Sequence, residues 1–307
     1  MQRTAGSVQQ WLAKDPSLEE LRARFPNIWE PVSRDIANVL SRQDYDALTA
    51  MTVAALQPAP RARPTSKQAQ DALLQGEVRR RMTAAALAQA RFSLATGVTD
   101  GPVRFNRFNG GVLQRLLFAG DLERKAVSRF WFRLWWPLLS QRRFLMALVQ
   151  PKGIYCFYSK QIIDALTELI GTASCLEIAA GDGTLTRLLR DNGVAATATD
   201  DYSWKDRIAF NDTVIRQDAS AALRSRQPTT VICSWPPAVN RFERDVFSTR
   251  SVQLYIVIGT RHEFSSGDWA TYRKQQGFEF EEMPELSSLV LPPELDPAVY
   301  VFRRKTT

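Results

Sequence analysis

Two glycines flanking an aspartate, Gly181-Asp182-Gly183, follow an apolar run and precede a helix-like segment; a second apolar run then ends on Asp200. Residues of these types, in this order, can hold a nucleoside. Gly181 and Gly183 carry no Cβ, so a ligand can approach the backbone closely. A helix starting near Thr184 offers free amide donors to an anionic group, and a carboxylate at position 200 can accept hydrogen bonds from both hydroxyls of a ribose. Neither of two common phosphate sites matches. A dinucleotide fingerprint needs G-x-G-x-x-G, whereas Thr-Leu-Thr follows Gly183, and no Gly-Lys-Ser/Thr follows to make a Walker loop. A second chemical candidate is His262, the sole histidine, placed just past the apolar run "LYIVIGT". Imidazole is the side chain best matched to proton removal near neutral pH. A lone histidine also serves as a packing residue, and both readings stand at this point.

The elements that must position these residues occupy the second half of the chain. Seven β-rich runs, "SCLEIAA", "AATATD", "TVIRQD", "TTVICSW", "VQLYIVIGT", "FEFEEMP" and "AVYVFRR", are separated mostly by helix-like segments. This pattern predicts an α/β fold, a Rossmann-like seven-stranded and mostly parallel sheet with helices on both faces. No convincing helix separates the last two runs, so the final strand is expected to be antiparallel at that edge. In such a sheet, ligands sit outside the carboxyl ends of the strands where strand order reverses. The first half reads helical: "PVSRDIANVLSRQDYDALTAMTVAAL" and "SKQAQDALLQGEVRRRMTAAALAQARFSLA" space apolar residues three and four apart. Between them "QPAPRARPTS" predicts a stiff loop, and "GPVRFNRFNGG" an irregular turn before a helical stretch through "LERKAVSRFWFRLWWPLLSQRRFLMALVQ". The expected domains are 1–150, a helical lid or acceptor-binding domain, and 151–307, with the boundary near 150–155.

The glycine turn resembles motif I of the class I S-adenosylmethionine-dependent methyltransferases, E/D-x-G-x-G-x-G. It is written here Glu177-Ile-Ala179-Ala-Gly181-Asp-Gly183, with Ala179 in the place of the first glycine. Asp200, with Asp201 beside it, stands 17 residues past Gly183, where the family places its ribose-binding acid. "RQDAS" is similar to the end of the third strand, where Asp218 and the Ala219 backbone would meet the adenine. "VICSWPP" is similar to motif IV at the end of the fourth strand, where Ser234 would face the transferred methyl. The similarity covers roughly residues 153–307 and implies S-adenosyl-L-methionine as cofactor, with no metal. Upstream, "GIYCFYSKQIIDALTELI" leads into the first strand. In this superfamily that segment often closes over the methionine end, which makes Tyr158 and Lys160 candidates for its carboxylate, or else a packing tyrosine and a surface lysine.

Acceptor chemistry then belongs at the ends of the fourth and fifth strands, at Ser234-Trp235-Pro236-Pro237 and Arg261-His262-Glu263. Methyltransferases acting on base amines carry Asp/Asn/Ser-Pro-Pro-aromatic there. Here Trp235 intervenes before the prolines, so Trp235 and Pro236 read better as an apolar wall against a small aromatic acceptor. In "RFWFRLWWPLLSQRRFLMALV", the spacing of Phe130, Leu134, Trp135 and Leu138 predicts a buried face packed on the sheet. Aromatics interleaved with arginines can also stack bases or lie in a membrane interface.

Composition narrows the partners. The 307 residues are 45% hydrophobic and 23% charged, as in an ordinary globular protein. Cys156, Cys175 and Cys233 sit in apolar surroundings without metal-like spacing, which predicts buried reduced thiols in a cytoplasmic protein. The start lacks a signal-peptide run, and no apolar segment reaches membrane-spanning length. The net charge of +8 divides into +10 over residues 1–150 and −2 over the remainder. Between Arg104 and Arg143 lie Arg104, Arg107, Arg115, Arg124, Lys125, Arg129, Arg133, Arg142 and Arg143, against Asp121 and Glu123. Such a surplus attracts anions. The function expected is methyl transfer to oxygen or nitrogen of a small metabolite or modified peptide, anionic or carried by an acidic leader or carrier. A nucleic-acid methyltransferase and a cofactor-binding module without turnover are the alternatives.

Overall fold

Each of the seven β runs forms a strand, and all seven join one sheet. In the computed structural model, which describes residues 5–13, 16–42, 44–57, 66–96, 107–140 and 142–306, they are β1 (Cys175–Ile178), β2 (Ala196–Asp200), β3 (Val214–Arg216), β4 (Thr230–Ser234), β5 (Leu254–Thr260), β6 (Phe278–Glu282) and β7 (Pro297–Arg304). Their order is β3-β2-β1-β4-β5-β7-β6. Strands β1 to β5 are parallel, whereas β7 is antiparallel to both β5 and β6. The antiparallel expectation therefore holds, but its place differs: β7 lies one strand in, and β6 is the edge. The edge is guarded by Glu279, Glu281 and Glu282. Strand order reverses between β1 and β4, which puts the topological switch point, where ligands bind in such sheets, at their carboxyl ends.

Side chains alternate between the two faces of the sheet. Cys175, Ile232, Ile256, Ile258, Val299 and Val301 enter one buried cluster. Leu176, Ile178, Val231, Cys233, Tyr255, Val257 and Phe302 enter another. Both faces are covered, which is why these strands read as nearly continuous apolar runs. Beneath the second face, the fully buried Glu243 accepts hydrogen bonds from the Tyr255 and Tyr272 hydroxyls and the Asp268 amide. Burial raises its proton affinity. The three cysteines are free and buried.

The chain divides into two compact units, Met1–Arg91 and Phe92–Thr307. The first is helical: Leu18–Arg24, Pro26–Ser41, Tyr45–Leu56 and the long helix from Lys67. Ser17 and Glu20 form a reciprocal capping box, and Asp44 caps the helix Tyr45–Leu56 through the Ala47 amide. Residues 107–150, grouped by sequence with the helical half, pack in the second unit. Leu113, Leu117, Phe132, Trp136, Leu139 and Met146 share a core with the helix Lys160–Ile170 and one face of the sheet. The helical stretch expected through Leu122–Gln150 is instead broken. A short hairpin (Phe118–Gly120 with Glu123–Arg124) precedes the helix Arg129–Trp135, and short 3-10 turns and the helix Leu145–Val149 follow. Pro137 lacks the amide that a continuing helix needs. The end of the expected irregular turn opens the helix Arg107–Leu117 instead; residues 101–106, like the loop 58–65, lie outside the described residues. Among the described residues no helix is long and apolar enough to cross a membrane.

Candidate functional site

The loop leaving β1 is built on three left-handed residues: Ala179 (φ 50°), Gly181 (φ 57°) and Gly183 (φ 74°). Ala179 bears the cost of that conformation, about 1–2 kcal/mol for a residue with a Cβ. A side chain at Gly183 would be strained by its φ and would place a Cβ 2.5 Å from Val214 Cγ2, so that Val214 would have to shift. The helix Thr184–Asp191 begins directly after it. Its first turn is not open to an incoming anion, contrary to the expectation from sequence. The Thr184 amide donates to Asp182 at 3.0 Å, and the Thr186 amide donates to Glu177 at 2.9 Å. Glu177 also accepts the Thr186 hydroxyl at 2.5 Å. It is a buried brace between strand and helix, and burial pushes its pKa up to about 7 against the pull of those hydrogen bonds.

A residue that sequence reasoning misassigned holds the middle of the turn. Arg124, counted there among the anion-attracting residues, is buried. It donates to both oxygens of Asp182, at 2.6 and 3.2 Å, and to the Cys156 carbonyl at 2.8 Å. Its guanidinium also lies over the Tyr158 ring, 5.3 Å from the centroid. Burial alone would raise the Asp182 pKa, but Arg124 and the Thr184 amide hold it below the ordinary carboxylate range. No local motif marks Arg124, since its partner lies 58 residues away.

Asp200 ends β2 beside the turn. One carboxylate oxygen accepts the Gly181 amide at 3.0 Å and the other the Tyr202 amide at 2.9 Å. Each keeps a lone pair for a ligand hydroxyl. Partial burial raises its pKa, partly offset by the two amides. Asp201 is exposed and accepts the Ser203 amide. Residues 201–213 form no helix. Tyr202 and Phe210 stack with centroids 3.9 Å apart, and Ile208 lies over Gly153 and faces Gly181. At the end of β3, Asp218 is the cap of the helix Ala219–Arg226, accepting the Ala221 amide at 3.0 Å. Asp200, Asp201, Asp218 and Ala219 thus follow the ends of neighbouring strands β2 and β3, beside the glycine turn.

No family model matches the chain, and no curated protein does. Solved structures share loose likenesses with it. The plantazolicin methyltransferase BpumL in complex with SAH is 7% identical over 56% of this chain and 93% of that one, with a TM-score of 0.35. A SAM dependent methyltransferase from Archaeoglobus fulgidus is 13% identical over 47% and 94%, at 0.34. A third, from Anabaena variabilis and provisionally described as a methyltransferase of an antibiotic biosynthesis pathway, is 13% identical at 0.31, and the chain spans only 63% of its length. Likenesses this loose assign no activity; the residues of the site must.

On the β4 side of the switch point, Ser234 ends its strand and accepts the Tyr158 hydroxyl at 2.7 Å, with Cys156 Sγ 3.8 Å away. Tyr158 is therefore a buried partner of Ser234, and burial raises its pKa strongly. Lys160 is exposed. Trp235 is left-handed (φ 59°) and donates its amide to the Ile258 carbonyl at 2.6 Å. Pro236 is buried, and its carbonyl accepts the Gly267 amide. The Trp235 indole lies parallel to Tyr155, 12° between planes and 6.5 Å between centroids, and Trp204 approaches Tyr155 at 6.4 Å. Neither Tyr155 nor Trp204 stands out by sequence, because the pairing arises only on folding.

His262 follows β5, with Nε2 4.0 Å from Asp296 Oδ2 and its ring 5.6 Å from Phe264. Arg261 is tied to Glu282 and Asp296, each at 2.6 Å, and Glu263 to Arg273. Asp296 immediately precedes β7, so the His262–Asp296 pair sits toward that strand, while Trp235 bonds β5 from the β4 side. The basic surplus is also reduced on folding. Besides Arg124, Arg142 is paired with Glu294 at 3.3 Å. Arg104 and the side chains of Arg107 and Arg143 lie outside the described residues.

Proposed function

We propose that this chain binds S-adenosyl-L-methionine and transfers its methyl group to oxygen or nitrogen of a small metabolite or modified peptide, anionic or carried by an acidic partner. The observation that carries the reading is the occupation of the first helical turn after the glycines by two carboxylates. A pyrophosphate needs those amides, and Asp182 and Glu177 already hold two of them. A nucleoside without phosphates, carrying a positive sulfonium, suits the same surroundings. Asp200 keeps acceptor capacity for ribose hydroxyls, and the Ala219 backbone stands at the end of β3 for an adenine edge. When bound, the cofactor supplies a methyl group on a good leaving group. The chain's work is then to align the acceptor and to receive a proton where one is lost. His262, beside Asp296, is the candidate for that proton. Arg129 and Arg133, without an ion pair among the described residues, support an anionic acceptor or partner.

Titration calorimetry of the full chain tests the cofactor. S-adenosylmethionine and S-adenosylhomocysteine should bind and NAD should not. Asp200→Asn should weaken binding about tenfold or more, since one charge-assisted acceptor becomes a neutral amide. Binding of NAD without S-adenosylmethionine would overturn the proposal.

A further inference from the structure

Independently of the reaction, we propose that the helix Arg129–Trp135 and the turn after it dock the chain on an anionic phospholipid surface. The segment is apolar on both sides. Inward, Phe132, Trp136 and Leu139 are buried in a core shared with the sheet. Outward, Phe130 (69% exposed), Trp131 (52%), Leu134 (48%) and Leu138 (65%) stand in water. A helix that is apolar all round is normally covered on every side. Phe130 and Leu134, four apart, are neighbours on the helix surface, and Trp131 meets Phe130 edge-on with centroids 5.2 Å apart. Single exposed apolar residues are ordinary on a protein, but a contiguous apolar patch marks an interaction site.

Charge decides what covers the patch. Between Glu123 and Asp164 the chain has eight lysines and arginines and no acidic residue. Arg124 is engaged by Asp182 and Arg142 by Glu294, but Arg129 and Arg133 have no ion-pair partner among the described residues. These two are four apart, hence adjacent, and partial burial and the charge of Arg133 lower the proton affinity of Arg129. Arg133 is also three positions from Phe130, so cation and aromatic ring are neighbours on one helix. Lipid phosphates answer such paired cations while the apolar side chains enter the layer below the headgroups. A second copy of the chain fits badly. Joining two such stripes would set arginine against arginine, with no carboxylate in the segment to answer it. A peptide helix needs a groove to lie in, whereas Phe130 and Leu138 project with about two-thirds of their surface exposed. The base of the stripe is firm: Phe132 and Trp136 stack at 4.6 Å beneath it, and Val127, just ahead of the helix, exchanges backbone hydrogen bonds with Tyr158 and Lys160. The stripe is short, so attachment is reversible and needs both signals, apolar contact and negative lipid charge.

Flotation of the full chain with vesicles is the test. Vesicles of phosphatidylcholine and phosphatidylglycerol in equal parts should capture the chain at low salt, and vesicles of phosphatidylcholine alone should not. Phe130→Ser with Leu134→Ser should lower the apparent affinity about tenfold or more, with an unchanged thermal midpoint. Each cation near an anionic surface is worth about fivefold in affinity, so Arg129→Gln with Arg133→Gln should weaken capture about thirtyfold. No capture, equal capture by the two kinds of vesicle, or capture retained by either double variant would overturn docking on lipid. So would a thermal midpoint that falls with the serine pair, which would show the stripe already covered within the chain. Concentration-dependent dimers abolished by the serine pair, or binding of an acidic helical peptide in place of vesicles, would assign the stripe to a protein and sink the proposal.

Discussion

Arg124 and the pair Arg129 and Arg133 come from one basic, aromatic stretch and end in opposite surroundings. Arg124 is enclosed, with Asp182, the Cys156 carbonyl and the Tyr158 ring around its guanidinium, and its own carbonyl accepts from Arg187 at 2.5 Å. Five residues later the helix Arg129–Trp135 turns Phe130 (69% exposed), Trp131 and Leu134 to water, and Leu138 continues the same stripe. From that same segment Phe132 and Trp136 stack at 4.6 Å in the core. Arg129 loses proton affinity through partial burial and through the neighbouring charge of Arg133. One arginine is a strut of the glycine turn; the other two form part of an unusually apolar outer surface. A count of charges along a chain does not tell which of them remain available to a partner.

The contrast can be tested most severely at Arg124. Arg124→Met leaves the half-buried Asp182 without its partner and should cost about 2–4 kcal/mol, below the full cost of a buried broken pair because water reaches the carboxylate, read from chemical denaturation. Adding Asp182→Asn should recover part of the loss, because it removes the uncompensated charge. A cost below about 1 kcal/mol would mean that the pair is no strut. The next effect is pH dependence on the inner side. Glu177 has its folded pKa raised from 4.5 to about 7. Its contribution is therefore complete below pH 4.5, falls as the unfolded chain ionises first, and is lost as pH rises through about 7. Linkage puts the total at roughly 3 kcal/mol. Glu177→Gln should flatten the stability profile over that window relative to the unmodified chain, as followed by denaturant midpoints; identical profiles would contradict it. A smaller effect belongs to Ala179→Gly, which relieves a left-handed alanine and should stabilise the fold by about 0.5–1 kcal/mol. Smallest of all is the outer stripe. Phe130→Ser with Leu134→Ser should shift stability by no more than about 0.5 kcal/mol, and a clear drop in thermal midpoint would show that the stripe is covered in solution.

How much of this could be read from sequence follows from the range of the interactions. The seven strands announce themselves locally, through β-rich runs between turn residues, and so does the glycine turn. The insertion of β7 between β5 and β6 does not, since it depends on pairing between distant segments. The aromatic helix misled for a different reason. In "RFWFRLWWPLL" nearly every position is apolar, so the spacing of Phe130, Leu134 and Leu138 fits a buried face as well as that of Phe132, Trp136 and Leu139. Trp135, from the expected set, is partly buried, and packing selects the other three for the core. Within the site, Gly181, Gly183 and Asp200 are legible because their spacing is short. Glu177 and Asp218 are visible by type, but the carboxylates turn out to brace the Thr184 helix and to cap the Ala219 helix. Tyr155 and Trp204 were silent, because ring-to-ring geometry has no local signature.

The position of β7 also sets an order of events for the nascent chain. Strand β6 has no neighbour in the sheet except β7, and β5 presents seven buried residues whose outer edge only β7 covers. Until Pro297–Arg304 leave the ribosome, β5 is a bare apolar edge and β6 has nothing to pair with. The parallel strands β1 to β4 can assemble as they emerge, but the sheet is sealed by a late segment. During synthesis the chain therefore passes through an interval in which its longest parallel strand is an open template for another copy, and chaperone dependence should concentrate in that interval.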